Sequence, residues 1–166
     1  MYQNIEELII DLQNESNATL RIFNALTDES LNQKVYLEGR TLGKIAWHIT
    51  ATVSELLSKI GLELKDEINE LEVPSSISVI TNTYKAIYNK VFEQIKTKIK
   101  DEDLSRLVNL YGENWTIGNV FQMFIRHEIH HRAQITVLMR QAGLKVPGLY
   151  GPSKEEWSEI GRETLS

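Results

Sequence analysis

The sequence predicts an all-α protein, a four-helix bundle in which residues 1–166 form a single domain. Apolar residues recur at helical spacing in four long segments, and no segment reads as a strand. Punctuation is sparse, with prolines only at 74, 147 and 152 and few glycines inside the periodic stretches. Four amphipathic segments without strands bury their stripes against one another as a bundle.

The first segment carries Ile5, Leu8, Ile9, Leu12, Leu20, Phe23 and Leu26 on one stripe, with polar Ser16 and Thr19 in its middle. Those two hydroxyls either line a watery cavity or bond back to the preceding helical turn. In the second segment Thr41 caps a stripe of Leu42, Ile45, Ile49, Val53, Leu56 and Ile60, and Gly61 ends it. The third follows Pro74, with Ser75 or Ser76 as cap, and runs from Ile77 through Ile80, Tyr84, Ile87, Val91 and Ile95 to Ile99. Thr116 caps the fourth, which carries Ile117, Val120, Phe124, Leu138 and Ala142 and stops at Gly143. Ser153 and Glu156 have the spacing of a capping box and start a short tail helix. The connection from Gly61 to Pro74 exceeds the roughly 2–8 residues usual between bundle helices, so it can support a crossover.

Composition excludes several functions. A formal charge of -5 with scattered basic residues disfavours a nucleic-acid-binding face. Lys96, Lys98 and Lys100 close a helix and complement its dipole. Zero cysteines rule out disulfides, thiolate ligands and a cysteine nucleophile, and fit a reducing compartment. The N-terminus MYQNIEELII carries acids where a signal peptide would be basic, and no apolar run approaches about 18 residues. The expectation is a cytoplasmic protein without membrane or nucleic-acid partners.

Three of four histidines fall in HEIHHRAQ, residues 127–134. His127 and His131, four apart, share a helix face and can both reach one ion. They sit in the stripe Val120, Phe124, His127, His131, Ile135, Leu138, where unpartnered imidazoles would cost a few kcal/mol each. A cation removes that cost. His48, in IAWHIT, lies beside the second stripe, either as a hydrogen-bonded core histidine or as a third ligand. Three histidines with an open fourth position describe a catalytic metal site. His130 falls towards the stripe's edge with Met123 and Gln134, and Gln134 is placed to orient His130 or a ligand.

GRTLGKIAWHIT and NWTIGNVFQMFIRHEIHHRAQITVLMRQAGLKVPGLYGP together resemble the DinB superfamily of metalloenzymes. In its helix-four block, H-x3-H-R-x-Q leads to an R-x-x-G turn and a Pro-Tyr tail. The resemblance implies up-down-down-up helix order and a divalent ion, zinc or nickel most often, held by His48, His127 and His131. It implies thiol-dependent transfer or hydrolysis on a small molecule, with a low-molecular-weight thiol as cosubstrate in several members, and commonly a homodimer. Ala133 departs from the family's frequent glycine, which loosens packing near the site.

HEIHH also spells the HExxH zincin signature, in which Glu128 would be the general base. The longer metzincin pattern fails, since Ala133 follows and no histidine lies downstream. A gluzincin could recruit Glu155, Glu156, Glu159 or Glu163, but no strand offers a substrate edge. Glu128 lies about 100° from His127 round the helix, which fits a glutamate behind the ligands or on the surface, near Arg132. No catalytic base stands out; Glu128, His130 and Tyr150 are the candidates. A metal-stabilised bundle that only binds a small molecule is the non-enzymatic alternative.

Overall fold

The computed structural model describes residues 2–64 and 68–159. Helices α1 (Ile5–Asn24), α2 (Leu42–Ser58), α3 (Ile77–Lys98) and α4 (Ile117–Gln141) form the bundle, and α5 (Lys154–Glu159) is the tail helix. Glu163 lies outside the described residues.

The caps are local chemistry. Asn4 accepts from Glu7 N at the head of α1, Thr41 from Lys44 N at α2, and Thr116 from Asn119 N at α4. At α3 Ser76 takes the cap position, but its hydroxyl faces Ser78 Oγ at 3.0 Å. Asp28, from the turn after α1, caps instead by accepting from Ile77 N at 2.7 Å. The tail box forms as spaced: Glu156 N donates to Ser153 Oγ at 3.3 Å, and Ser153 N to Glu156 Oε2 at 3.0 Å.

Contacts at the helix ends fix the order as up-down-down-up. Ile5 N donates to Asp101 Oδ1, just past α3, while Asp28 holds the start of α3, so α1 and α3 run antiparallel. Arg21 reaches Leu149 O beyond α4, which sets α1 and α4 parallel. Gln94 exchanges hydrogen bonds with Glu63, bringing the ends of α2 and α3 together. The long connection is therefore the crossover.

A hairpin corrects the expectation of no strands. β1 (Leu107–Leu110) pairs antiparallel with β2 (Glu113–Thr116), in register Leu107 with Thr116. Tyr111 and Gly112 make the turn, both at positive φ (52° and 92°), as a two-residue hairpin of matching twist requires. Tyr111 Oη donates to Glu55 Oε1 at 2.7 Å and so seats the hairpin against α2.

The core collects the stripes, with one rotation. In α1 Ile22 is buried and Leu20 only half so, while Glu15, Ser16 and Thr19 are buried beside Leu12 and Phe23. The α1 face is thus apolar at its two ends and polar where it meets the middle of α4. No helix among the described residues is long and apolar enough to cross a membrane.

Candidate metal centre

His48 from α2 and His127 and His131 from α4 bring their Nε2 atoms together. His127 Nε2 lies 3.3 Å from His48 Nε2 and 3.1 Å from His131 Nε2, and a ligand atom from each of the three lies within 4.8 Å of the others. Two nitrogens of a tetrahedral zinc site, each about 2.0–2.1 Å from the ion, stand roughly 3.3 Å apart. The three histidines are positioned to hold a metal ion.

The outward nitrogens make the same case. His48 Nδ1 donates to Glu70 Oε1 at 2.7 Å, because a carboxylate can only accept. His131 Nδ1 donates to Gln134 Oε1 at 2.8 Å, and Gln134 Nε2 donates to His130 Nε2 at 3.1 Å. These partners place the protons on Nδ1 and leave the Nε2 atoms of His48 and His131 as lone pairs. Any Nε2 proton on His127 could serve only one of them well. A cation satisfies all three. Glu70 and Gln134 would orient the imidazoles and raise their basicity as ligands.

Burial favours the neutral form of His127 and His131. Burial pushes the His127 pKa down from 6.5 to about 4, helped by His131, His48, His130 and Arg40. Burial also lowers that of His131, against its hydrogen bond to Gln134 Oε1. A histidine depressed on folding binds fewer protons in the folded chain than in the unfolded one. Its contribution to stability is therefore complete above pH 6.5 and is lost as pH falls towards about 4. The unfolding midpoint of metal-free protein should decline through that window, and His127→Ala should make the decline shallower. An equal slope in the two proteins would contradict this origin.

Glu128 is neither at the surface nor free to act on a metal-bound water. It is 2% exposed, and its carboxylate accepts from Thr19 (2.5 Å), Tyr84 (2.5 Å) and Tyr88 (2.6 Å). Burial raises its pKa although those hydroxyls and Arg132 oppose the rise. The expected pairing with Arg132 is indirect, since Thr19 donates to Glu128 and accepts from Arg132 Nη1 at 3.0 Å. Thr19 thus neither lines a watery cavity nor bonds back; Ser16 does bond back, to Gln13 O at 3.2 Å. His130 is exposed; it accepts from Gln134 and sets its ring edge-on to His131, with centroids 5.0 Å apart. Tyr150 is engaged elsewhere, donating to Glu15 at 2.6 Å and accepting from Arg132. Ala133 is exposed and so loosens no packing.

A cavity of about 360 Å³ opens beside His131 and Gln134, walled by Val35, Tyr36, Ile45 and Leu138, with Arg40 and Gly39 completing it. Sequence reasoning missed Glu70, Arg40 and the two tyrosines. Glu70 comes from the crossover and gives no periodic signal. Tyr84 was legible as stripe, and a buried tyrosine hydroxyl demands a partner.

Four likenesses to known proteins accord with this fold. The model of the DinB family matches residues 1–164. The chain is 39% identical over 163 residues to "Uncharacterized protein YrdA" of Bacillus subtilis strain 168, covering 98% of each. It superposes on the crystal structure of a DinB-like protein from Bacillus cereus ATCC 10987 with TM-score 0.88 at 37% identity, covering 90% of this chain and 100% of that one. The DinB-like protein YjoA of Bacillus subtilis shares the fold, with TM-score 0.70 at 17% identity over 89% of this chain and 99% of that one. With residues 1–164 matched by the family model and a 39% identical relative covered over 98% of its length, the chain belongs to the DinB family.

Proposed function

We propose that the protein is a divalent-metal-dependent enzyme of the thiol-transferase or hydrolase type, with His48, His127 and His131 as ligands. The observation that carries this reading is the convergence of three Nε2 atoms whose outer nitrogens are anchored, next to a cavity of ligand size. An all-imidazole donor set suits zinc or nickel. Bound there, the ion would lower the pKa of a water or thiol and supply a nucleophile near neutral pH.

The chain's own part is to hold and to exclude. Glu70 and Gln134 fix the two outer imidazoles, and Val35, Tyr36, Ile45 and Leu138 give the cavity an apolar wall. With no cysteine in the sequence, the sulfur of a transfer reaction arrives as a low-molecular-weight thiol. A cytoplasmic homodimer belongs to the same reading and rests on the family resemblance. The burial of Glu128 under three hydroxyl donors weighs against the HExxH reading.

Metal analysis of the purified protein beside His48→Ala tests the assignment. About one divalent ion per chain is expected in the wild type and a small fraction of that in the variant. Equal occupancy in the two would remove His48 from the site.

A further inference from the structure

Arg40 has no hydrogen-bond or ion-pair partner among the described residues, although the chain carries 23 acidic residues against 18 basic ones. Its guanidinium belongs to the wall of the cavity beside His131, and no aspartate or glutamate is among the described residues that line it.

The backbone holds Arg40 in place. Gly39 N donates to Tyr36 O at 3.0 Å, and Leu42 N to Gln33 O at 2.7 Å, closing the loop on either side of it. Thr41, the next residue, is the cap of α2. A side-chain carbon at Gly39 would come within 3.1 Å of the Tyr36 ring, so the glycine lets that ring lie against the turn. Apart from Arg40, His131 and Gln134 the wall is built by Val35, Tyr36, Gly39, Ile45 and Leu138, and 360 Å³ lies at the lower end of the range of about 300–1,000 Å³ usual for small-molecule sites.

We propose that this cavity takes a small organic anion with an apolar body, whose carboxylate or phosphate is bound by Arg40 while its far end faces the three-histidine centre. The proposal rests on the metal-centre reading for what happens at the far end, but not for the anion contact. A planar guanidinium offers paired donors matched to either anion. The ion would add positive charge to the same cavity, so the site as a whole selects against cations. Arg40 is then a specificity-determining residue.

Phenylacetate, phenyl phosphate and neutral phenylacetamide are the probes, titrated by NMR into zinc-loaded and zinc-stripped protein, with zinc content measured on each sample. Wild-type protein should bind at least one of the anions, and phenylacetamide about tenfold more weakly. Arg40→Gln should lose about tenfold in anion affinity at unchanged zinc content, and Arg40→Lys should fall between the two. Tighter binding of phenyl phosphate than of phenylacetate, with the same dependence on Arg40, supports the proposal and assigns phosphate as the anion. Three results overturn it: equal affinity in wild type and Arg40→Gln, equal binding of phenylacetamide, or no binding of either anion. If no zinc is retained yet zinc-stripped wild type shows the Arg40-dependent binding, the metal reading fails and the anion site stands.

Discussion

Zinc should raise the unfolding midpoint of metal-stripped protein by roughly 8–16 °C when the free ion is about a thousandfold above its Kd, because binding to the folded chain alone then contributes about 4 kcal/mol. His127→Ala should abolish the rise. The same variant should change the midpoint of the stripped protein by little, and for a specific reason. Without an ion, His127 holds its Nε2 3.1 and 3.3 Å from two others that carry lone pairs, an arrangement that costs stability. Removing it relieves the crowding while losing some half-buried contact area. Thermal unfolding with and without zinc checks both statements. A zinc response of full size in His127→Ala would mean that the ion binds elsewhere. A large loss in the stripped variant would mean that the histidines stabilise the bundle by pairing with one another.

How much of this was legible in the sequence depends on the range of each interaction. The pair His127 and His131 is a local fact, since i,i+4 spacing alone puts both rings on one face. Its position within an apolar stripe supplied the demand for a partner. His48 was legible only as a candidate, because nothing in a linear chain says that its face of α2 meets that face of α4. Glu70 was not legible at all. It reaches His48 from the crossover, 22 residues away, in a stretch whose composition reads as solvated loop. The hairpin was missed because its strands are four residues each and its turn is Tyr111-Gly112. Asn-Gly or Asp-Gly would have announced it, whereas tyrosine at positive φ gives no such signal. Thr19 shows the opposite failure. Its polarity within the α1 stripe was noticed, but both local explanations were wrong because its partners, Glu128 and Arg132, lie on another helix.

Those partners set the second large expectation, a loss of about 3–5 kcal/mol in Arg132→Met with the metal stoichiometry kept. Arg132 is 1% exposed, and its guanidinium is the hub of the contact between α1 and α4. Nη1 donates to Glu15 O at 2.9 Å and to Thr19 Oγ1 at 3.0 Å, and Nη2 reaches the Glu15 carboxylate and the Tyr150 hydroxyl. Methionine fills similar space but leaves Glu15, 7% exposed, with Tyr150 as its remaining described side-chain donor. A buried carboxylate stripped of its cation costs far more than the intact pair is worth, so the effect is much larger than a surface ion pair would predict. In a chain of this size it corresponds to a midpoint lower by roughly 6–20 °C. Zinc content should remain near the wild-type value, because the ligands are oriented by Glu70 and Gln134 and not by Arg132. Replacing Glu15 with glutamine in the same chain should recover part of the loss by removing the stranded charge. An unchanged midpoint in Arg132→Met would show that the α1–α4 contact is held by its apolar ends alone. Loss of zinc at an unchanged midpoint would move Arg132 from the scaffold to the metal centre.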